Sequence, residues 1–415
     1  MSWPSVIVPH ALALQRLAVT PYTFAIIFLP AFFSYYAMAV LVQLPDTRFY
    51  RAALLPIVFW MSFRANMSLD FTWNYAGYAY LNQGLSLGMF TIAMRSTAWV
   101  LAERPYTRLP IYKLRNGTVN GHNGKTPTEH DFSVPSALWN AWDLTMNLRG
   151  IGWDGPQRIH IPTPYFRVES RPIFAFLSFS RLTFLALALD TLSRSVRSFG
   201  PDTFGTPKGG TIFDPLLPPL ERYTNSFVIT LLSGTTAYVM IEATYQLHAV
   251  VFTIVFQQYP SQWPPLFDSP WLSTSLISLW GRRWHQLFRE CFVVVGSKPM
   301  EKYLGRAGTV MGAFAISGLL HDIGMRGMGR GGDTAEVVGF FLMHGVGVSM
   351  EHAWRKATGR RVGGIIGWLW VFFWLVFWGQ VVVDVWARRG LIGSEFFHAP
   401  YRPTTLILNW ISRKN

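Results

Sequence analysis

Uncharged apolar runs alternate along this chain with short polar stretches, and several of the runs match the thickness of a bilayer. A spanning helix needs about 20 mostly apolar residues, because the hydrocarbon core is about 30 Å thick and each residue rises about 1.5 Å. Residues 17–44 carry no charge between Arg16 and Asp46, with Pro21 and Pro30 placed to start or bend a helix. Residues 71–94 are also uncharged, softened by Asn74, Asn82 and Gln83. Residues 52–63, between them, are too short to span unless completed through Arg64 and Asn66; otherwise they form a re-entrant piece. Farther on, residues 172–189 are interrupted only by Arg181. Residues 223–256 are interrupted only by Glu242 and suffice for one long tilted helix or two crossings. Residues 307–320 end on His321 and Asp322, residues 337–350 contain His344 and end on Glu351 and His352, and residues 362–383 are rich in Trp before Asp384. Residues 404–412 predict a last short helix. The expected fold is all-α, a polytopic integral membrane helical bundle of about seven to nine spanning helices.

Ala37-Met38-Ala39 imitates the cleavage site of a signal peptide, but the first run is too long for one, and a retained anchor helix is expected. Between Arg95 and Arg171 the character changes to Pro, Gly, Asn and charge, with ten Lys and Arg (Arg95, Arg104, Arg108, Lys113, Arg115, Lys125, Arg149, Arg158, Arg167, Arg171) against six acids. This predicts one large extramembrane loop, residues 95–171, on the cytosolic side, within a single domain of residues 1–415. A second loop over residues 198–221 is rich in Pro and Gly, and no internal repeat of the transporter kind is visible.

Composition agrees with lipid as the solvent: of 415 residues 50% are hydrophobic and 14% charged, where soluble domains carry about 25% charged. The net charge of +14 suits anionic headgroups and a polyanionic cosubstrate better, in so apolar a chain, than nucleic acid. A lone cysteine, Cys291, excludes an intrachain disulfide and a thiolate metal cluster, and none of the ten histidines has the three- or four-residue neighbour of a di-iron site.

Ionisable groups in apolar spans are expensive, so each is a functional candidate. His321 follows the uncharged run Ala315-Ile-Ser-Gly-Leu-Leu320, where a buried neutral imidazole would serve as a general base. Spacing alone equally allows a helix-end histidine bonded to backbone. Ser317, one turn earlier, is more simply a helical serine bonded to backbone than a nucleophile. Residues 275–296 predict an amphipathic helix, with Arg282, His285, Gln286 and Arg289 on one arc and Trp280, Trp284, Leu287, Phe288 and Cys291 on the other. Its cations face either headgroups or a phosphate ligand. Gly324 to Gly332 predicts a flexible loop, His344 and His352 either line a chamber or cap a helix, and Asp70, Glu242 and Asp384 are candidate ion-pair partners.

Trp280-Gly-Arg-Arg-Trp-His285, followed by Ser317-Gly-Leu-Leu-His321, resembles the membrane-bound O-acyltransferase superfamily, in particular its wax-synthase-like branch with fungal terpenoid and meroterpenoid acetyltransferases. Arg149-Gly-Ile-Gly-Trp153, within residues 140–153, looks like a loop signature of the same branch. The resemblance implies acyl transfer from acyl-CoA, with acetyl-CoA the expected donor, to a hydroxyl of a lipophilic alcohol, with no permanently bound cofactor and no metal. It implies His321 as the base and His285 at the second polar position, its role open between donating, accepting and orienting. Arg282, Arg283 and Arg289 would meet the CoA phosphates. The expected location is the endoplasmic reticulum membrane. The rivals are a long-chain wax-ester synthase and, outside enzymes, a transporter.

Overall fold

The computed structural model describes residues 16–109, 134–155, 159–164 and 166–412. Lys113, Arg115, Lys125 and Arg158 of the expected loop lie outside them. Ten helices carry the fold: α1 (Pro21–Leu41), α2 (Arg48–Ser68), α3 (Ala79–Val100), α4 (Val134–Met146), α5 (Arg171–Arg197), α6 (Pro219–Ile254), α7 (Lys298–Gly327), α8 (Thr334–Thr358), α9 (Gly364–Arg388) and α10 (Pro403–Ser412). Four of them, α1, α5, α6 and α9, are long and apolar enough to cross a membrane.

Local chemistry explains several boundaries. Thr20 and Thr23 form a reciprocal capping box ahead of Pro21, whose missing N–H falls where a helix has no acceptor for it. Pro30 then deprives the Ile26 carbonyl of its usual partner, and the helix relaxes into a π turn over Phe24–Phe28. Arg64 from α2 donates to that carbonyl at 3.3 Å, which ties α2 to α1. The short run 52–63 is thus the middle of a 21-residue helix completed through Arg64 and Asn66. Residues 223–256 resolve in the same way into one 36-residue helix, about 54 Å long, rather than two crossings.

Helix α3 runs past Arg95 to Val100, so the first residues of the expected loop are helical. Arg95 is buried and donates to the Tyr35 hydroxyl at 2.5 Å and to the Leu144, Thr145 and Asn147 carbonyls at 3.1–3.2 Å. One guanidinium therefore closes the C-terminal end of α4 and joins α1, α3 and α4; Tyr35, Trp99, Ala141 and Leu144 pack around it. Of the candidate ion-pair acids, Glu242 meets Arg181 at 3.0 Å and Asp384 meets Arg388 at 2.8 Å. Asp70 instead accepts from Thr72 and Asn82.

The helices pack as a curved series, α4 on α1, α1 on α2, α2 on α3, α3 on α7, α7 on α8, α8 on α9, α9 on α6, and α6 on α5. Inside the curve lies a cavity of about 1890 Å³, with walls from α3, α5 to α9 and the segments around residues 146–151 and 263–293. Ligand pockets are typically about 300–1,000 Å³, so this one has room for two substrates at once. Close approach of backbones seats residues 292–297 on α7. A Cβ on Gly296 would stand 2.3 Å from the Gly312 carbonyl oxygen, and one on Gly312 would stand 2.4 Å from that of Gly296. Gly312→Val is therefore expected to lower stability by about 1–3 kcal/mol, the cost of overpacking against atoms that cannot turn aside. A thermal melt in detergent checks this, and an unchanged midpoint would refute it.

Candidate active site

The segment from Ser275 to Ser297 is not the continuous amphipathic helix its periodicity predicts. It is a helical turn (Leu276–Ser278), a π turn (Leu279–Arg283), an extended Trp284 at ψ 156°, a short helix (Arg289–Cys291) and a second π turn (Phe292–Ser297). Tertiary hydrogen bonds replace the lost helical ones. The Glu351 carboxylate of α8 accepts from the backbone N–H groups of Leu276 at 2.6 Å and Ile277 at 3.0 Å, and from Trp370 Nε1 of α9 at 2.9 Å. At the break, the buried Gln286 amide donates to the Trp280 and Trp284 carbonyls at 3.3 and 3.0 Å. These bonds satisfy groups that a helix end leaves orphaned, and the break leaves His285 on an irregular stretch beside the cavity.

His321 sits in the body of α7, not at its end, because the helix continues to Gly327. The expected flexible loop correspondingly begins after Gly327, and Gly324 and Gly327 are helical and packed on Leu87 and Ser86 of α3. His321 Nδ1 lies 2.7 Å from the Ser317 carbonyl oxygen one turn earlier. A carbonyl only accepts, so Nδ1 carries a proton, and in the neutral ring Nε2 keeps its lone pair. The ring stacks on Phe341 at 4.4 Å, which fixes its plane, and the residue lines the cavity. The backbone bond is thus compatible with the role expected of a base. Ser317 contributes its carbonyl.

His285 lines the same cavity within an aromatic shell of Phe267, Trp284 and Phe288, at 5.6–5.9 Å between ring centroids. Its Nδ1 is buried with no partner among the described residues. Burial first, and then the neighbouring His321 and Arg149, push its pKa down to about 3, so the ring stays neutral at physiological pH. The three arginines separate. Arg289 lines the cavity and donates to Gln286 at 3.3 Å, Arg282 is exposed, and Arg283 donates to the Asp268 and Ser269 carbonyls at 2.9 and 3.1 Å.

His344 is fully buried behind Trp280, whose Nε1 donates to its Nδ1 at 3.2 Å, and His352 bonds the Val348 carbonyl. Cys291 packs as a small apolar residue with Met94 and Leu320. Two features escaped the sequence. Glu290, beside the motif arginine, accepts from the Tyr106 hydroxyl 184 positions away, and Arg149 lines the cavity near His285. Only the flanking Arg149-Gly-Ile-Gly-Trp153 motif could have singled out the second.

Residues 263–343 match the model of the Membrane bound O-acyl transferase family. The chain is 31% identical over 178 residues to the Long-chain-alcohol O-fatty-acyltransferase of Simmondsia chinensis, covering 40% of this chain and 49% of that protein. It is 24% identical over 323 residues to Acetyltransferase atnC of Arthrinium sp, covering 71% and 72%. It is 29% identical over 157 residues to Acetyltransferase aurG of Calcarisporium arbuscula, covering 34% and 38%. The matched region is thus about half the length of the first of these relatives. Both the Trp280 to His285 and the Ser317 to His321 motifs lie inside the family segment, and the resemblance read from them is borne out.

Proposed function

We propose that this chain, which carries the Membrane bound O-acyl transferase segment over residues 263–343, transfers an acetyl group from acetyl-CoA to a hydroxyl of a lipophilic secondary metabolite such as a terpenoid or meroterpenoid. The observation that carries the reading is His321: its Nδ1 is taken by the Ser317 carbonyl, which leaves Nε2 as the basic nitrogen of the neutral ring, in the wall of a mostly apolar cavity large enough for donor and acceptor together.

An alcohol is a poor nucleophile until a base takes its proton during attack. His321 Nε2 removes that proton, the alcohol oxygen bonds to the thioester carbonyl carbon, and the C–S bond then breaks as the proton passes to the departing sulfur. No acyl-enzyme is needed. His285, being neutral, orients the donor or shares a hydrogen bond with it and does not supply a charge. Arg289 is the motif arginine best placed for a CoA phosphate, because it lines the cavity, while Arg282 is exposed and Arg283 is held by carbonyls. Arg289→Gln is expected to raise the donor KM by about fivefold to fiftyfold, the size of a lost charge-assisted bond, and to change the alcohol KM far less. Arg283→Gln should leave the donor KM alone; the reverse ranking in steady-state kinetics would move the phosphate site.

The same acyl chemistry with a long-chain donor is the second reading, favoured by the similarity to long-chain-alcohol acyltransferases. Competition between acetyl-CoA and palmitoyl-CoA over a panel of alcohols tests the choice. Faster acetyl transfer supports the first reading, and a palmitoyl preference with every alcohol replaces it with a wax-ester synthase. For the membrane, we read α2, α3, α7 and α8 as spans beside the four apolar helices, eight in all. These helices are 21–30 residues long, and α2 turns Ile57, Phe59, Trp60 and Phe63 outward. The endoplasmic reticulum is the proposed location, which imaging of a tagged chain tests directly.

A further inference from the structure

The cavity wall holds one buried cation that the reading above does not use. Arg149 is only 7% exposed and lines the cavity. Its Nη1 donates to the Pro265 carbonyl at 2.9 Å, and its Nη2 donates to the Pro264 carbonyl at 2.7 Å and the Tyr245 hydroxyl at 2.5 Å. Tyr245 in turn donates to the Pro264 carbonyl at 2.6 Å, so the phenol is committed as well. All of these acceptors are neutral. Among the described residues no carboxylate lies within ion-pair distance of Arg149, and the two buried acids of the neighbouring elements are taken elsewhere: Asp143 by Arg108 at 3.3 Å and Glu242 by Arg181 at 3.0 Å.

A guanidinium buried without a counter-charge is destabilising, and neutral hydrogen bonds offset this only in part. It is also held rigidly. Three of its five N–H groups are used and two remain, on a residue that borders the chamber. A preorganised, dry, unpaired donor gains most when negative charge appears beside it, which is the condition for stabilising a transition state rather than a ground state. We propose that Arg149 is the catalytic cation of this chamber, taking the negative charge that develops on the thioester oxygen when the alcohol attacks. The proposal rests on the acyl-transfer reading. In that step the alcohol proton goes to His321 Nε2, the new C–O bond forms, and the carbonyl π pair moves onto the oxygen facing Arg149. The oxyanion then collapses with loss of the CoA thiolate, which takes the proton back from His321. His285, neutral beside Arg149, offers that oxygen at most an uncharged N–H.

Two measurements on the full-length chain in membranes or detergent test it. Arg149→Met should lower kcat about 10²–10³-fold, the usual effect of one oxyanion donor, with both KM values within about threefold of wild type, and Arg149→Lys should recover at least about tenfold of that loss. The second readout needs no turnover. S-carboxymethyl-CoA places a carboxylate close to where the oxyanion forms, and S-carbamidomethyl-CoA is its neutral counterpart. Wild type should prefer the carboxylate, and Arg149→Met should lose about tenfold or more of that preference. A raised donor KM at retained kcat would assign Arg149 to the CoA phosphates and overturn the proposal. So would an unchanged carboxylate preference, or a matching fall in melting temperature and activity for both variants. A wild-type chain that binds both analogues yet acylates no alcohol would strike the acyl-transfer reading instead, with the analogue preference still deciding whether Arg149 is an anion site.

Discussion

Replacing His321 with alanine is expected to lower acyl transfer about 10²–10⁴-fold while the protein still accumulates in the membrane, because a general base contributes about that much to the rate. The structure sharpens the expectation. The Ser317 carbonyl accepts from Nδ1 at 2.7 Å, so the lone pair proposed for catalysis is on Nε2 and the tautomer would not have to be selected during turnover. His321→Gln then separates the two jobs of the ring. It keeps a polar side chain at the same place in α7 but has no basic nitrogen, and it should be as inactive as alanine. Because Phe341 stacks on the imidazole at 4.4 Å, some stability will be lost in both variants, and a melting curve beside the rate measurement separates folding from chemistry. Activity within a few-fold of wild type at equal protein level would remove His321 from the mechanism.

A second large effect is expected at a residue that touches no substrate. Glu351→Leu should destabilise the fold by several kcal/mol and abolish activity with it, since Glu351 is 4% exposed and its carboxylate accepts from Leu276, Ile277 and Trp370. Each donor left buried without a partner costs about 1–3 kcal/mol, and three are released together. The consequence reaches the site through geometry. Leu276 and Ile277 begin the turns that carry Trp280 and place Trp284 and His285, so losing the carboxylate loosens the motif at its origin. Glu351→Gln keeps one acceptor oxygen and should fall between the two. A Leu variant that melts and turns over like wild type would show that Gln286 and the aromatic packing suffice.

Much of the fold could be read from hydrophobic runs, because a helix in lipid satisfies its own backbone and depends mainly on length and polarity. The runs at residues 17–44, 172–189, 223–256 and 362–383 correspond to the four apolar helices α1, α5, α6 and α9. At residues 52–63 the apolar run is shorter than the helix, because charges interrupt it. Arg64 is tolerated in α2 because it reaches the carbonyl that Pro30 leaves free, a partner visible only once α1 and α2 lie side by side. The charge of Arg95 predicts the start of a loop for the same reason, and it is a buried tie among three helices.

What the sequence determined by itself was the alternation of apolar and polar runs, the two histidine motifs inside the family segment, and the chemistry an imidazole offers in an apolar place. These depend on residue type and near-neighbour spacing. The tertiary structure decided the rest. Periodicity predicts one amphipathic helix over residues 275–296, but Glu351 and Gln286 supply hydrogen bonds that make a broken path affordable. That break put Arg282 outside, tied Arg283 to carbonyls and left Arg289 and His285 at the cavity. Arg149 entered the same chamber from a segment 136 positions before His285, since whether a charge is paired, and by what, is a property of the packed neighbours and not of the chain around it.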